Sequence, residues 1–274
     1  MSELEQKVNK QFPPVQIFGT EVRPLTSKAV EGMEYQIYTA LPEGYESSSE
    51  TYPVLYFLDA WAQFGILKQS YWLLRFYNEV PPLLLVGIAF EGDAQDLLYY
   101  RARDYTPTIV PPEKLSPEIA PLTPVSGGAP NFLRFLETEL FPTIEAEYRA
   151  DKSDRAIFGV SYGGLFATYI LFNRPELFQR YLLGNPSLWW DEEVILEHEE
   201  NYAKTHESLP AEVFMTIGSE ESNRGLERWA QLCDRLKNRN YEGLELTSMI
   251  FEGETHMSVI PATHSRALRV LYRD

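Results

Sequence analysis

The stretch Ala156-Ile-Phe-Gly-Val-Ser-Tyr-Gly-Gly-Leu-Phe-Ala-Thr-Tyr-Ile-Leu-Phe172 joins an apolar run, a serine between glycines and a second apolar segment. Its centre, Gly159-Val-Ser-Tyr-Gly163, matches the pattern G-x-S-x-G of a nucleophile elbow. Between a strand and a helix, this pattern raises the serine hydroxyl above the sheet, and the glycines leave room for the neighbouring elements. The stretch therefore predicts a strand, a sharp turn that presents Ser161, and a buried helix from Tyr162 to Phe172.

Apolar runs elsewhere predict that this strand belongs to one larger sheet. Nearly continuous apolar strands are typical of a parallel sheet that helices cover on both faces. Two strands come first and helical segments alternate with the later ones, which indicates an α/β, doubly wound, mostly parallel sheet with an antiparallel N-terminal edge. The predicted strands are Val15 to Val22, Met33 to Leu41, Val54 to Leu58, Leu83 to Phe90, Arg155 to Val160, Tyr181 to Leu183, Val213 to Ile217 and Leu244 to Phe251. Further helices are predicted over 132–148, with a break at Pro142, and over 226–236 and 260–271.

Composition limits the partners and the compartment. The chain has 274 residues, with 24 Lys and Arg against 40 Asp and Glu, and a net charge of −16. Such an acidic surface repels phosphate backbones and anionic lipid, so we expect no nucleic-acid partner and no membrane partner. Met1 to Lys10 lacks the apolar core of a secretion signal, and Cys233 is the single cysteine. We expect one cytoplasmic domain over residues 1–274 that uses no cofactor and no metal.

The histidines that follow the serine differ in their settings. Serine hydrolases with this turn carry the acid and then the histidine after the nucleophile. His256 lies in a short loop between the last predicted strand and the last helix, where the general base of such an enzyme is expected. His198 and His206 lie in a strongly polar segment, and His264 lies on the apolar stripe of the final helix. We interpret these three as surface or packed structural histidines.

The acid is expected after the strand Val213 to Ile217, where the chain reads Gly218-Ser-Glu-Glu221. Glu221 is our first candidate and Glu220 is the alternative. Acids in the first turn of a helix also stabilise its N-terminus, which is the structural interpretation of both residues. In a catalytic role, the acid holds the histidine tautomer and stabilises the imidazolium as it forms.

An oxyanion hole for the reaction needs two N–H donors. One is expected to be the backbone N–H of Tyr162, which begins the helix after the serine. The other is expected from the turn Asp59-Ala-Trp61 after the third strand, where Ala60 and Trp61 remain alternatives. We interpret Asp59 as a residue that holds this turn rather than as a base.

A long segment without periodicity covers 106–130 and contains seven prolines. Loops of this length are commonly functional or disordered, and this one follows a strand at the edge where open α/β sheets bind ligands. We interpret 106–130 as a cap over a site; the alternative is a solvated surface excursion.

Aromatic and arginine side chains cluster around the same edge of the predicted sheet. Aromatic walls with a few guanidinium groups suit an aromatic acyl ester or a catechol-bearing ester. In the alternative interpretation, Arg103 and Asp104 pair to brace a loop and the aromatic rings belong to the core. The candidate substrate-binding residues are Arg101, Arg103, Tyr105, Trp189 and Trp190.

Six segments together resemble the esterase D-like family of α/β-hydrolases, and within it the branch similar to the esterases of the siderophores enterobactin, salmochelin and bacillibactin. The resemblance runs from about residue 15 to the C-terminus. The segments are Pro53 to Ala60, Arg101 to Pro107, Phe132 to Glu137, Gly159 to Gly164, Asn185 to Trp190 and Gly253 to His256.

The resemblance implies the α/β-hydrolase fold and a serine hydrolase in which Ser161 is the nucleophile, His256 the base and an acid lies near Glu221. Some siderophore esterases work with a Ser–His pair alone, and Tyr162 stands where many relatives have Phe or Leu. We therefore expect a carboxylic-ester hydrolase that acts on a small-molecule ester. The alternatives are an acyltransferase of the same fold and a catalytically silent ligand-binding homologue.

Overall fold

The fold is built on an eight-stranded sheet, which a computed structural model describes within residues 16–273. The strand order is β1-β2-β4-β3-β5-β6-β7-β8. Strands β1 and β2 pair in an antiparallel manner, β2 pairs with β4 in the same way, and all later pairs are parallel. The strands are β1 (Thr20–Thr26), β2 (Glu34–Ala40), β3 (Tyr52–Phe57), β4 (Leu84–Ala89), β5 (Ala150–Val160), β6 (Arg180–Gly184), β7 (Ser208–Gly218) and β8 (Glu242–Phe251).

Eight α-helices pack against the two faces of this sheet in the described part of the chain. Strand residues alternate between the faces: Val54 and Tyr56 point to one apolar core, whereas Leu55 and Phe57 point to the other. The helices are α1 (Ala60–Phe76), α2 (Ala94–Tyr105), α3 (Ala129–Phe135), α4 (Phe141–Glu147), α5 (Tyr162–Asn173), α6 (Val194–Ala203), α7 (Asn223–Arg239) and α8 (Val259–Leu271). The smaller core lies under α1 and α8, and the larger core lies under the other six helices.

This architecture confirms the predicted fold class, a mostly parallel α/β sheet with an antiparallel edge. The order of strands brings the ends of β5, β6, β7 and β8 side by side. The loops that follow their carboxyl ends therefore converge along one side of the sheet, the carboxyl edge, which is where open α/β sheets bind ligands. Within residues 16–273, none of the helices combines the length and the apolarity that a bilayer crossing requires.

The first strand and the effect of Pro142 differ from the sequence interpretation. The first strand, predicted over Val15 to Val22, runs over Thr20–Thr26, and residue 15 and the segment Met1 to Lys10 lie outside the described residues. Pro142 does not break its helix: a π-helical turn at Leu136–Leu140 joins α3 to α4 with right-handed torsions at both junctions. A wider turn accommodates a proline ring, which otherwise clashes with the preceding turn.

Candidate active site

Ser161 occupies a strained turn between β5 and α5. Its φ and ψ angles are 61° and −120°, a combination that L residues adopt only when the surrounding structure holds them there. The N–H of Ser161 donates to the carbonyl of Gly184 at 2.9 Å, and its carbonyl accepts from Ser187 at 3.1 Å. The loop after β6 thus fixes the turn, and the Ser161 side chain stays partly exposed.

The glycines of the G-x-S-x-G pattern allow close contact between elements. A Cβ atom at Gly159 would lie 2.1 Å from the carbonyl oxygen of Gly163, so the end of β5 and the start of α5 can approach only without that side chain. A Cβ atom at Gly163 would lie 3.3 Å from the side chain of Leu58. The turn that presents Ser161 therefore lies directly against the end of β3.

His256 and Glu221 form a hydrogen-bonded pair at the same edge of the sheet. The Nδ1 atom of His256 lies 2.5 Å from Oε2 of Glu221. The other carboxylate oxygen accepts from the backbone N–H of Ser222 at 3.0 Å. Mainly through the hydrogen bond with His256, the pKa of Glu221 is held below its usual value, so the carboxylate is ionised near neutral pH. Glu220 uses its backbone N–H, which donates to the carbonyl of Glu254 at 3.0 Å.

Asn185, which was not singled out as a candidate from the sequence, contacts both members of this pair. Its Nδ2 donates to Oε2 of Glu221 at 3.3 Å and to the carbonyl of His256 at 3.4 Å. Its Oδ1 accepts from the backbone N–H of Gly218 at 3.1 Å. The signal in the sequence was the segment Asn185 to Trp190, which carried the family resemblance without indicating a role for this side chain.

The hydroxyl of Ser161 faces a second serine. Its Oγ lies 3.5 Å from Oγ of Ser187, whose residue is only 3% exposed. No hydrogen bond joins Ser161 to His256 within residues 16–273. Serine–histidine contacts in ligand-free hydrolases are often long and shorten when substrate binds. The loop after β6 thus connects the two halves of the candidate site, with Ser187 on the serine and Asn185 on the His256–Glu221 pair.

Two helices begin at the same edge of the sheet as the Ser161 turn. Tyr162 begins α5 and Ala60 begins α1, and the first N–H groups of a helix have no acceptor within that helix. Asp59 caps α1 with a left-handed φ of 52°, which turns the chain from β3 into the helix. Trp61 lies in the first turn of α1 with 40% of its surface exposed. The helix N-termini of α1 and α5 together offer the kind of donors that stabilise an oxyanion.

Comparison with known proteins identifies the family. Residues 27–258 match the family model described as "Putative esterase". The chain belongs to this esterase family. Because relatives that span most of the chain are named as ferri-bacillibactin and siderophore esterases, the protein is a carboxylic-ester hydrolase, as the sequence resemblance implied.

Named relatives cover nearly the whole esterase. It is 34% identical to the "Ferri-bacillibactin esterase BesA" of Bacillus subtilis over 263 residues. This alignment covers 92% of this chain and 89% of the relative. It is 26% identical to the "Siderophore triacetylfusarinine C esterase" of Aspergillus fumigatus, over 89% of this chain and 90% of the relative. The crystal structure of the BES protein from Bacillus cereus aligns with a TM-score of 0.84 and 33% identity, over 96% of this chain and 100% of that one.

Arg101 lies next to the oxyanion candidates of the esterase. Its guanidinium forms two hydrogen bonds with the carboxylate of Asp59, at 3.1 and 3.0 Å. It also lies over the ring of Tyr162, 5.4 Å from the centroid. Asp59 therefore holds the turn before α1 through Arg101, as the sequence interpretation of this acid expected.

The other candidate substrate-binding residues differ in exposure. Tyr105 and Trp190 have no exposed surface, so their rings pack in the core and offer no face to a ligand in this structure. Arg103 pairs with Asp104 at 2.6 and 3.0 Å, which is the bracing arrangement weighed as the alternative. Trp189 is partly exposed, and its ring lies 6.1 Å from that of Tyr162. Among the three aromatic candidates, Trp189 is the one with exposed surface.

The proline-rich segment does not follow a strand, as the sequence interpretation expected, but follows helix α2, and it ends at residue 128 because α3 begins at Ala129. It attaches to residues beside Ser161. The hydroxyl of Thr123 lies 2.7 Å from the hydroxyl of Tyr162, and the indole N–H of Trp190 donates to Thr108 at 3.0 Å. The segment contains two short 3-10 turns, Pro112–Lys114 and Ala120–Leu122. It therefore lies at the edge of the sheet that carries the candidate site.

The remaining histidines lie away from the Ser161 turn. His264 is 1% exposed, and its Nε2 bonds to Gln63 at 2.5 Å, so it is packed between α8 and α1. His206 is exposed and stacks on Tyr202. His198 is partly buried and bonds to Asn173, which is more enclosed than the solvated surface position we expected.

Proposed function

We propose that the esterase hydrolyses carboxylic esters through a Ser161–His256–Glu221 triad and an acyl-enzyme, and that its substrates are siderophore-type or aromatic esters. The observation that carries the proposal is the 2.5 Å bond between His256 Nδ1 and Glu221 Oε2, at the sheet edge where a strained turn presents Ser161. A carboxylate on Nδ1 leaves Nε2 of the imidazole to exchange a proton with the serine.

In the acylation step, Oγ of Ser161 attacks the acyl carbon of the ester while His256 takes the hydroxyl proton. The negative charge that develops on the carbonyl oxygen is stabilised by the N–H of Tyr162 and by an N–H from the Ala60–Trp61 turn. The tetrahedral intermediate then breaks its bond to the alkoxy oxygen. His256 gives its proton to that oxygen, so that a neutral alcohol leaves.

In the deacylation step, His256 removes a proton from water as the water oxygen attacks the acyl carbon of the acyl-enzyme. The same N–H groups stabilise the second oxyanion. When this intermediate collapses, the proton on His256 returns to Oγ of Ser161 and the carboxylic acid leaves. Glu221 stabilises the imidazolium in both steps.

The substrate class is supported by the relatives and by the aromatic side chains around the serine. Two relatives that span most of the chain are named as siderophore esterases. Trp61 and Trp189 present partly exposed rings, and Tyr162 lies between Trp189 and Arg101. Flat aromatic groups stack favourably on such rings. We further propose that residues 1–274 form one domain and that the segment 106–130 caps its site, because Thr108 and Thr123 bond to the residues beside Ser161.

Hydrolysis of p-nitrophenyl butyrate tests the nucleophile. We expect S161A to lower kcat by roughly four to six orders of magnitude, because the residual rate comes from the oxyanion donors and binding alone. S153A is the matched control, since Ser153 is exposed and lies near the start of β5, at the opposite edge of the sheet. A fluorophosphonate probe should label the wild type and not S161A. Wild-type turnover by S161A, or labelling of both proteins, would contradict the proposal.

An ester panel tests the substrate class. Trilactone siderophores with catechol groups, aromatic acyl esters and short aliphatic esters should be compared by kcat/KM under one set of conditions. We expect the trilactone and aromatic esters to exceed the aliphatic esters. Equal values across the panel would leave the esterase activity in place and contradict the siderophore-type substrate.

A further inference from the structure

We propose that Asn185 is a positioning residue for hydrolysis, whose carboxamide holds the Glu221 carboxylate and the His256 backbone in one arrangement. The inference rests on the proposed roles of Ser161, Glu221 and His256. It assigns a function to a side chain that takes no part in bond making or breaking.

The carboxamide of Asn185 bridges two loops at the edge of the sheet. Its Nδ2 donates to Glu221 Oε2 at 3.3 Å and to the carbonyl of His256 at 3.4 Å. Its Oδ1 accepts from the N–H of Gly218 at 3.1 Å. The loop after β7 carries the acid and the loop after β8 carries the base, so one side chain fixes the distance between them.

The backbone of Asn185 is itself held firmly. Its N–H donates to the carbonyl of Thr216 in β7 at 2.8 Å, and the residue is only 3% exposed. Its φ is 39°, in the left-handed region that asparagine tolerates better than most residues. A side chain at a buried and conformationally restricted position loses little further freedom when it forms hydrogen bonds. Asn185 is therefore a rigid support for the more exposed His256.

Two features give asparagine a chemical advantage over aspartate at this position. An amide N–H stabilises the ionised carboxylate of Glu221, whereas a second carboxylate at the same distance would repel it. The acids on the two loops, Glu220 beside Glu221 and Glu252 and Glu254 before His256, already make this edge negative. In the described residues, Glu221 is the charged group that bonds to the His256 ring, and Glu254 instead accepts from the hydroxyl of Ser258.

The substitutions N185D and N185G separate charge from geometry. Aspartate keeps the acceptor for Gly218 and tolerates the left-handed backbone, but it replaces the donor with a negative oxygen. Glycine adopts the positive φ without strain and removes the carboxamide. The matched control is N173D, because Asn173 at the end of α5 bonds to His198 and takes no part in the candidate site.

We expect both variants at position 185 to lower kcat by roughly one to two orders of magnitude with KM changed about twofold or less, because misplaced catalytic groups mainly raise the barrier. In N185D, the added negative charge favours the imidazolium, so the acid limb of the kcat/KM profile should move to higher pH. N185G adds no charge, so the acid limb of its kcat/KM profile should lie closer to that of the wild type. N173D should keep the wild-type kcat and pH profile, and thermal melting should establish that each variant is folded.

Three outcomes separate this inference from the proposed function. If S161A is inactive and folded N185D keeps the wild-type kcat and pH profile, Asn185 has no positioning role. If N185D loses activity through KM alone, the carboxamide binds substrate instead, and the inference is wrong. If S161A retains activity, the proposed function itself fails, whatever the variants at position 185 do.

Discussion

The carboxylate of Glu221 receives hydrogen bonds from the His256 ring, the Asn185 amide and the backbone of Ser222. Three donors around one carboxylate favour its charged form, and the pKa of Glu221 is lowered, mainly by the bond with His256. Glu221 therefore stays ionised over the pH range in which an imidazole titrates.

The substitution E221Q removes this charge and keeps a similar shape. We expect kcat to fall by roughly two to four orders of magnitude, because a neutral amide neither holds the tautomer nor stabilises the imidazolium. The acid limb of kcat/KM should move to lower pH, since the imidazolium has lost its partner charge. The matched control is E220Q, which removes the charge of the neighbouring acid and should change both quantities far less. Equal effects of the two variants would argue against Glu221 as the acid.

His264 predicts a pH dependence of stability rather than of activity. Complete burial lowers its pKa from 6.5 to about 4. Between these values the unfolded chain binds a proton that the folded protein excludes, so the free energy of unfolding decreases as pH falls from 6.5 to 4 and the decrease levels off below that. The shift corresponds to about 3 kcal/mol.

The variant H264Q tests this dependence by removing the titrating group. Urea unfolding at pH 7 and at pH 4 should show a larger loss of stability for the wild type than for the variant, by about 3 kcal/mol. The comparison cancels the contributions of other groups that titrate in both proteins. Parallel stability curves would show that the His264 pKa is not depressed.

Among the elements, the turn from Trp190 into α6 carries a second site of backbone strain besides the Ser161 turn. Asp191, Glu192 and Glu193 have φ values of 43°, 52° and 70°, all in the left-handed region. Each such residue costs about 1–2 kcal/mol when it is not glycine. The turn ends the segment that holds Trp189 beside Tyr162, and Glu193 contacts Arg228 at 2.5 Å. Packing on both sides of the turn therefore maintains a conformation that the residues themselves disfavour.

The substitution E192G should stabilise the protein by about 0.5–1 kcal/mol, because glycine adopts a φ of 52° without strain but loses more chain entropy on folding. E197G is the matched control: Glu197 is an exposed residue inside α6, where glycine should destabilise by about 1 kcal/mol. Denaturant unfolding measures both changes. If E192G destabilises the protein, the side chain of Glu192 stabilises the folded state by more than its backbone strain costs.

At the scale of the whole molecule, the net charge of −16 acts on every approaching ligand. Arg101 and Arg103, two cations near the candidate site, are each paired with an acid, Asp59 and Asp104. An anionic ester is therefore repelled at long range, and an uncharged ester is not.

Ionic strength should separate the two kinds of substrate. Raising it from about 0.01 M to 0.15 M shortens the Debye length from about 30 Å to 8 Å and screens the repulsion. We expect kcat/KM to increase for a p-nitrophenyl ester whose acyl chain ends in a carboxylate, and to change little for p-nitrophenyl butyrate, the uncharged control. A decrease for the anionic ester would indicate that a local cation attracts it more strongly than the net charge repels it.

The sequence by itself determined the class of fold, the elbow at Ser161 and the esterase family, because these depend on local patterns. Apolar runs specify buried strands, and only glycine fits where Gly159 meets the carbonyl of Gly163. Helices α1, α2 and α6 were not predicted. In α1, exposed Trp72, Leu73 and Phe76 obscure the buried stripe of the helix.

Only the tertiary structure decided which side chains meet. Glu221 bonds to His256 across 35 positions of chain, Arg101 to Asp59 across 42, and Asn185 to His256 across 71. No local period encodes such a pair, because the order of strands in the sheet brings the loops together. For the same reason, Tyr105 and Trp190 looked like walls of a pocket in the sequence and are core residues in the fold.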